Sequence, residues 1–195
     1  IGSNTFSKIF EMLCHAFKGR HDAKREIREE ESKMGEHSFN VLHRWNIVPG
    51  TNEDGTIDSD RLHTWFLAVK TASQEKDRYE VAMQLIGAAF FHSPPDPDGL
   101  FIHHSVAELL HKEGDDLREG YYNEAINSRG AHFVDPSGAP EFALERKYNE
   151  YAIEVDTLGL FRFAEKLRLL ARLYHSEALH NIEDNRKLQE LRSAD

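Results

Sequence analysis

A helical hairpin in the last third of the chain decides the fold class. Residues 140–178 read PEFALERKYNEYAIEVDTLGLFRFAEKLRLLARLYHSEA. On both sides of Gly159 the apolar residues recur every three or four positions, which is the spacing of one face of an α-helix. The first face carries Leu144, Tyr148, Tyr151, Ala152 and Val155, and the second carries Leu160, Phe163, Ala164, Leu167, Leu170, Ala171, Tyr174 and Ala178. Pro140 suits the first turn of a helix, where a missing N–H costs nothing. The stretch predicts two amphipathic helices joined at Gly159.

The same periodicity predicts helices along most of the remaining sequence. Apolar stripes mark segments 6–17, 62–69, 79–90, 106–110 and 117–126, and Asp58 or Ser59 is placed to cap the second of them. Loops rich in Pro, Gly and Asp separate the helices at 49–57, 93–99 and 128–140. Only 46–48 and 132–134 have the composition of short extended pieces. We therefore predict an all-α fold, a single multi-helix bundle with turn-rich connecting loops.

Composition divides the chain into three parts. Residues 20–37 contain few apolar side chains, so residues 1–37 are predicted to form N-terminal helices that include a partly solvated arm. Residues 38–180 hold most of the apolar stripes and form the main helical domain. Residues 181–195 are predicted to form a frayed helical tail.

Charge and cysteine content indicate which partners and which compartment to expect. The formal net charge of −10 opposes binding to a phosphate backbone, so nucleic acid is not an expected partner. No apolar run has the length of a membrane span, and Cys14, the only cysteine, favours a reducing compartment. We therefore expect a cytoplasmic protein. No motif for a cofactor appears in the sequence, and none is expected.

Two acidic loops are candidates for metal binding. Residues 52–57 match the middle of a calcium loop, but Gly50 and Arg61 occupy the positions of its two strongest ligands. A second candidate combines carboxylates and imidazoles: Asp96, Asp98, His103 and His104. Helix capping explains the same residues without a metal.

A polar stretch after the helix at 117–126 is a candidate recognition patch. Its members are Asn127, Ser128, Arg129 and His132. Gly130 within it suits a positive φ at a helix end. The alternative is that Asn127 and Arg129 satisfy helix-end carbonyls and brace the loop. Arg168 and His175 also match the loose R-x6-H spacing of HEPN-type ribonucleases, a spacing that occurs readily by chance.

An ordered set of short motifs resembles a known type of sequence. The set comprises Arg44-Trp45, Pro49-Gly50, residues 54–58, residues 94–99, residues 127–130, Arg162-Phe163-Ala164, Leu167-Arg168 and Leu170-Ala171. Over residues 38–180 it resembles the C-terminal segment of large uncharacterised bacterial proteins. The resemblance implies a piece of a larger bacterial chain and carries no activity with it.

Three functional hypotheses follow. The first is a non-catalytic helical interaction or regulatory module whose partner is another protein or the rest of a larger parent chain, because no catalytic constellation appears in the sequence. The second is a metal-dependent hydrolase or nuclease that uses the loops 96–104 and 127–132. The third is a structural module that terminates a helical array, which predicts exposed apolar residues along the first helix.

Overall fold

The computed structural model describes residues 3–17, 29–131 and 134–193, with side chains from Lys8 onward in the first helix. Eight α-helices lie within these ranges. They are α1 (Ser3–Ala16), α2 (Glu29–His43), α3 (Ser59–Glu75), α4 (Tyr79–Phe91), α5 (His104–Lys112), α6 (Asp115–Asn127), α7 (Ala139–Thr157) and α8 (Phe161–Ser193). Within these ranges the only β-pairing is an isolated bridge between Thr51 and Ile57. The predicted all-α bundle is confirmed.

The predicted hairpin is formed by α7 and α8, which run in opposite directions. Tyr148 stacks on Tyr174 with ring centroids 5.7 Å apart, and Asp156 pairs with Arg168 nearer the turn. Gly159 ends α7 with a φ of 78°, and Pro140 lies in the first turn of α7. The apolar stripes of both helices therefore face each other as the sequence predicts.

The helices α4 and α6 run in the same direction and cross with their backbones in contact. Gly114 lies beside Tyr79 where the two helices begin, and His92 contacts Glu124 where they end. Between these points a Cβ atom on Gly87 would lie 1.9 Å from the Leu117 carbonyl oxygen, and one on Gly120 would lie 1.9 Å from that of Gln84. Only glycine fits at either position, because any side chain would overlap the opposite backbone.

The crossed pair α4–α6 links the two halves of the bundle. On one side α3 packs against α4, and α1 packs against α2 and α3. On the other side α6 packs against α8, where Tyr121 meets the ring of Phe163 edge-on at 5.1 Å. The hydrophobic core is continuous through all of these layers.

The N-terminal helix is tied down by both apolar and polar contacts. Leu13 is buried, and Ile9, Phe10 and Phe17 pack against the core. The array hypothesis instead predicts exposed apolar residues along this helix. The side chain of Phe6 lies outside the described residues. The buried Arg78 donates from Nε to the carbonyl oxygen of Phe17 at 2.8 Å. That bond satisfies a carbonyl just beyond the end of α1 and fixes the position of Phe17.

The division of the chain into three parts stays a prediction. Residues 37 and 38 both lie within α2, and α8 is helical to Ser193. Within the predicted arm Lys33 pairs with Glu29 at 2.7 Å, and residues 20–28 lie outside the described ranges. The helices that the structure describes include none with the length and apolar character of a bilayer span.

Replacement of either crossing glycine tests the backbone contact. We expect Gly87→Ala and Gly120→Ala each to lower the free energy of unfolding by about 3 kcal/mol, because the two helices must separate to admit a methyl group. Gly114→Ala is the control, since its Cβ would meet only the Tyr79 hydroxyl at 3.5 Å, and it should cost about 1 kcal/mol or less. Denaturant unfolding followed by circular dichroism measures all three, and equal costs would contradict the crossing.

Candidate functional site

An open groove of about 510 Å³ lies between the N-terminal half of the bundle and the crossed pair α4–α6. One wall comes from Phe17 at the end of α1 and from residues 42–46 at the end of α2. The other wall comes from α4 and α6. The groove therefore lies between two packed groups of helices, which is a usual position for binding sites in helical proteins.

The apolar side chains that line the two walls are together called the floor of the groove. They are Phe17, Leu42, Trp45, Val81, Leu85 and Ala88. Leu42 is buried, while Trp45 and Leu85 are only partly buried and still pack against the core. The Trp45 ring is fixed by Trp65, which meets it edge-on at 5.7 Å. The groove thus offers an aromatic surface that is in part accessible to solvent.

The rim of the groove is polar and consists of His43, Arg44, Asn46, Gln84, His92, Asn123, Glu124 and Asn127. His43 stacks on Phe39 at 3.8 Å and contacts its carbonyl oxygen. His92 hydrogen-bonds Glu124 at 2.9 Å, with Nε2 facing the carboxylate. These two imidazoles are therefore engaged within the protein.

The other polar groups of the rim are available for an external ligand. Within the described ranges, the side-chain amides of Gln84, Asn123 and Asn127 form no hydrogen bond, and the Arg44 guanidinium forms no ion pair. Asn123, Asn127 and Arg44 are exposed to solvent. The groove therefore combines an apolar floor with unengaged donors and acceptors, as expected of a surface that recognises another molecule.

The predicted recognition patch is divided between two places. Asn127 lies on the groove, but Arg129 points to the hairpin, where it pairs with Glu141 of α7 and with Glu177 of α8. Ser128 donates to the Ala125 carbonyl at 3.2 Å, and His132 lies outside the described residues. Arg129 thus braces the loop, which was the structural alternative, and only Asn127 belongs to the groove.

The Arg129–Glu141 pair is the most buried ion pair that the structure describes. The Glu141 side chain is 1% exposed and that of Arg129 is 16% exposed. Burial by itself raises the pKa of Glu141, but hydrogen bonds and the positive charge of Arg129 outweigh it and hold this pKa below its usual range. The carboxylate therefore stays ionised inside the protein.

The Asp96–His104 loop caps the start of α5. Asp96 accepts from the backbone N–H of Asp98 at 3.1 Å and from that of His104 at 2.8 Å, and His103 Nδ1 accepts from Ser105 N–H at 3.3 Å. Burial raises the pKa of Asp96, but these N–H groups and the neighbouring imidazoles lower it overall, and burial lowers the pKa of His103. The four predicted ligands are not gathered into a site: the described residues include no group of three or more His, Cys, Asp or Glu arranged to hold a metal ion.

The calcium-like loop is closed by contacts within the protein. Asp54 accepts from the backbone N–H of Thr56 at 3.0 Å, and Arg61 Nη1 donates to Asn52 Oδ1 at 2.9 Å. Gly50 and Gly55 have φ values of 88° and 86°. A guanidinium therefore binds the loop oxygen from the position at which a calcium loop has its bidentate glutamate.

The R-x6-H residues contact separate carboxylates. Arg168 binds Asp156 of α7 at 2.5 Å and Glu165 of its own helix at 2.7 Å, while His175 contacts Glu145 of α7 at 3.0 Å. The contacts with Asp156 and Glu145 link α8 to α7, so the spacing is explained by bracing of the hairpin.

Comparison of the chain with protein-family models, curated proteins and solved structures finds no match. The chemistry of the groove is therefore the basis for assigning a function.

Most residues of the groove are not apparent from the sequence. Gln84, Asn123 and Arg44 lie in three separate segments, and only the packing of α4 on α6 places the first two together. One signal was available: Gly87 and Gly120 each lie inside a helical stripe, where glycine costs about 1 kcal/mol relative to alanine and so indicates a packing reason.

Removal of Arg129 tests its role as a brace. We expect Arg129→Leu to lower the free energy of unfolding by about 3 kcal/mol, because it leaves the Glu141 charge buried without its partner. The double variant Arg129→Leu/Glu141→Leu should recover most of this loss. Arg168→Leu, which breaks more exposed pairs, should cost about 1 kcal/mol or less. If Arg129→Leu and Arg168→Leu lower the free energy of unfolding equally in denaturant titrations, Arg129 does not brace the loop.

The same pair predicts a dependence of stability on pH. A carboxyl group whose pKa is lower in the folded than in the unfolded state stabilises the fold above its unfolded pKa of about 4.3. That stabilisation decreases as the pH falls through the lower, folded-state pKa. Between pH 5 and pH 3 the free energy of unfolding should therefore fall more steeply for the wild type than for Glu141→Gln. Identical slopes in urea titrations would contradict the lowered pKa.

Proposed function

We propose that this chain is a non-catalytic helical interaction module that binds a segment of another protein, or of a longer parent chain, in the groove between α2 and the α4–α6 pair. The observation that carries the proposal is the combination of an accessible apolar floor with unengaged polar side chains on the rim. Such a surface gains free energy when apolar side chains of a ligand cover Trp45 and Leu85.

The dimensions of the groove favour a peptide segment as the ligand. A volume of about 510 Å³ accommodates a few side chains, so it suits one anchoring segment of a partner. Apolar surface extends onto α2, where Phe39 is 41% exposed and stacks on the rim residue His43. The resemblance to C-terminal segments of large bacterial proteins adds that the segment can belong to the same parent polypeptide.

Blocking the groove tests the proposal. The 195-residue chain is used to select binders from a random 12-residue peptide phage library, and affinities of the enriched peptides are measured by fluorescence polarisation. We expect Ala88→Trp to weaken binding by about tenfold or more, because the indole fills the floor. Ala143→Trp, on the exposed side of α7, is the matched control and should bind as the wild type does.

Circular dichroism and unfolding curves show whether both tryptophan variants keep the fold. If selection enriches no peptide on the folded wild type, or if the folded Ala88→Trp variant binds the enriched peptides with unchanged affinity, the proposed function is wrong.

A further inference from the structure

We infer that the groove binds its peptide in an extended conformation, with the side-chain amides of α4 and α6 pairing with the peptide backbone and Arg44 binding a carboxylate. This inference rests on the proposed function and specifies the ligand: an extended segment with an apolar anchor and an acidic residue.

The spacing of the two asparagines on α6 matches an extended chain. Asn123 and Asn127 are four residues apart on one helix, so they are separated by about 6 Å along its axis. Alternate residues of an extended peptide are about 6.6–6.8 Å apart and present their backbone N–H and C=O groups on the same side. Each amide has donors and an acceptor, so one amide can pair with both groups of one peptide residue.

Gln84 supplies a third amide from the neighbouring helix. Its own carbonyl oxygen lies at the crossing with Gly120, one helical turn before Asn123. Gln84 and Asn123 therefore belong to the same edge of the groove, and their amides form no hydrogen bond within the described part of the chain. Because the crossing fixes both backbones, the positions from which these amides extend are set before a ligand arrives, and no backbone rearrangement is needed for binding.

The positive charge of Arg44 favours a peptide that carries a carboxylate, either on a side chain or at its end. Arg44 lies on the same groove, is exposed and has no ion pair with a described residue, whereas Glu124 is occupied by His92. A guanidinium binds a carboxylate through two parallel hydrogen bonds. The aromatic surface of Trp45 adjoins Arg44 in the sequence and lies on the floor, where an apolar side chain next to the carboxylate can pack.

A helical peptide fits these features less well. In a helix the backbone N–H and C=O groups are bonded internally, so the amides of α6 would find only side chains to bind. The array of amides therefore favours the extended form.

Two sets of measurements test the inference on a 12-residue peptide enriched by the wild-type chain. Asn123→Ala and Asn127→Ala should each weaken binding by about fivefold, and Asn149→Ala, an exposed asparagine of α7, should leave it unchanged. In peptides methylated at single backbone nitrogens, methylation at alternate positions should abolish binding while the intervening positions tolerate it. Replacement of the acidic residue by its amide should weaken binding to the wild type by about tenfold, but not to Arg44→Gln.

The outcomes separate this inference from the proposed function. If Ala88→Trp abolishes binding but neither asparagine variant changes it, the groove binds peptides and the backbone pairing is wrong. If the enriched peptides carry apolar residues at helical spacing and lose affinity when proline is introduced at their centre, the bound form is a helix and the inference is overturned. If the effect of N-methylation on affinity does not alternate along the peptide, the inference is overturned as well.

Discussion

Backbone contact between α4 and α6 is the constraint on which the groove depends. Gly87 and Gly120 let two helices of the same direction cross at a separation that no other residue permits. Because the helices run in parallel, the chain must return to the starting side between them, and the short helix α5 makes that return. The close approach places one face of α4 and one face of α6 side by side, and this shared face carries Gln84, Asn123 and Asn127.

The two halves of the bundle hold this crossed pair from opposite sides by different means. Toward α8 the contact is largely aromatic: Phe163 packs edge-on against Tyr121, and Tyr174 donates to the Ala125 carbonyl at 3.3 Å. Toward α1 the buried guanidinium of Arg78 links the start of α4 to the carbonyl of Phe17, and Leu13 and Phe10 add apolar contacts with the core.

Local periodicity predicts the helices well and their arrangement poorly. The α7–α8 hairpin follows from its stripes, from Gly159 and from Pro140, because neighbouring antiparallel helices need only a short turn. The crossing of α4 and α6 brings together residues that are at least thirty positions apart in the sequence. The apolar stripe of either helix does not indicate which other helix it packs against. Arg129 shows the same limit for single residues: its charge and its place after a helix permit both a brace and a recognition role. Its burial against Glu141 assigns the brace.

The chemistry of the groove fits recognition because its available polar groups do not titrate near neutral pH. Side-chain amides are neutral at all accessible pH values, and a guanidinium stays protonated, so neither transfers protons readily. The imidazoles of the rim are already engaged, His43 with Phe39 and His92 with Glu124. What the groove presents to a ligand is thus a set of hydrogen-bonding groups of fixed charge around an apolar floor. Such groups distinguish ligands by shape and by the direction of donors and acceptors, which is what binding of a protein segment requires.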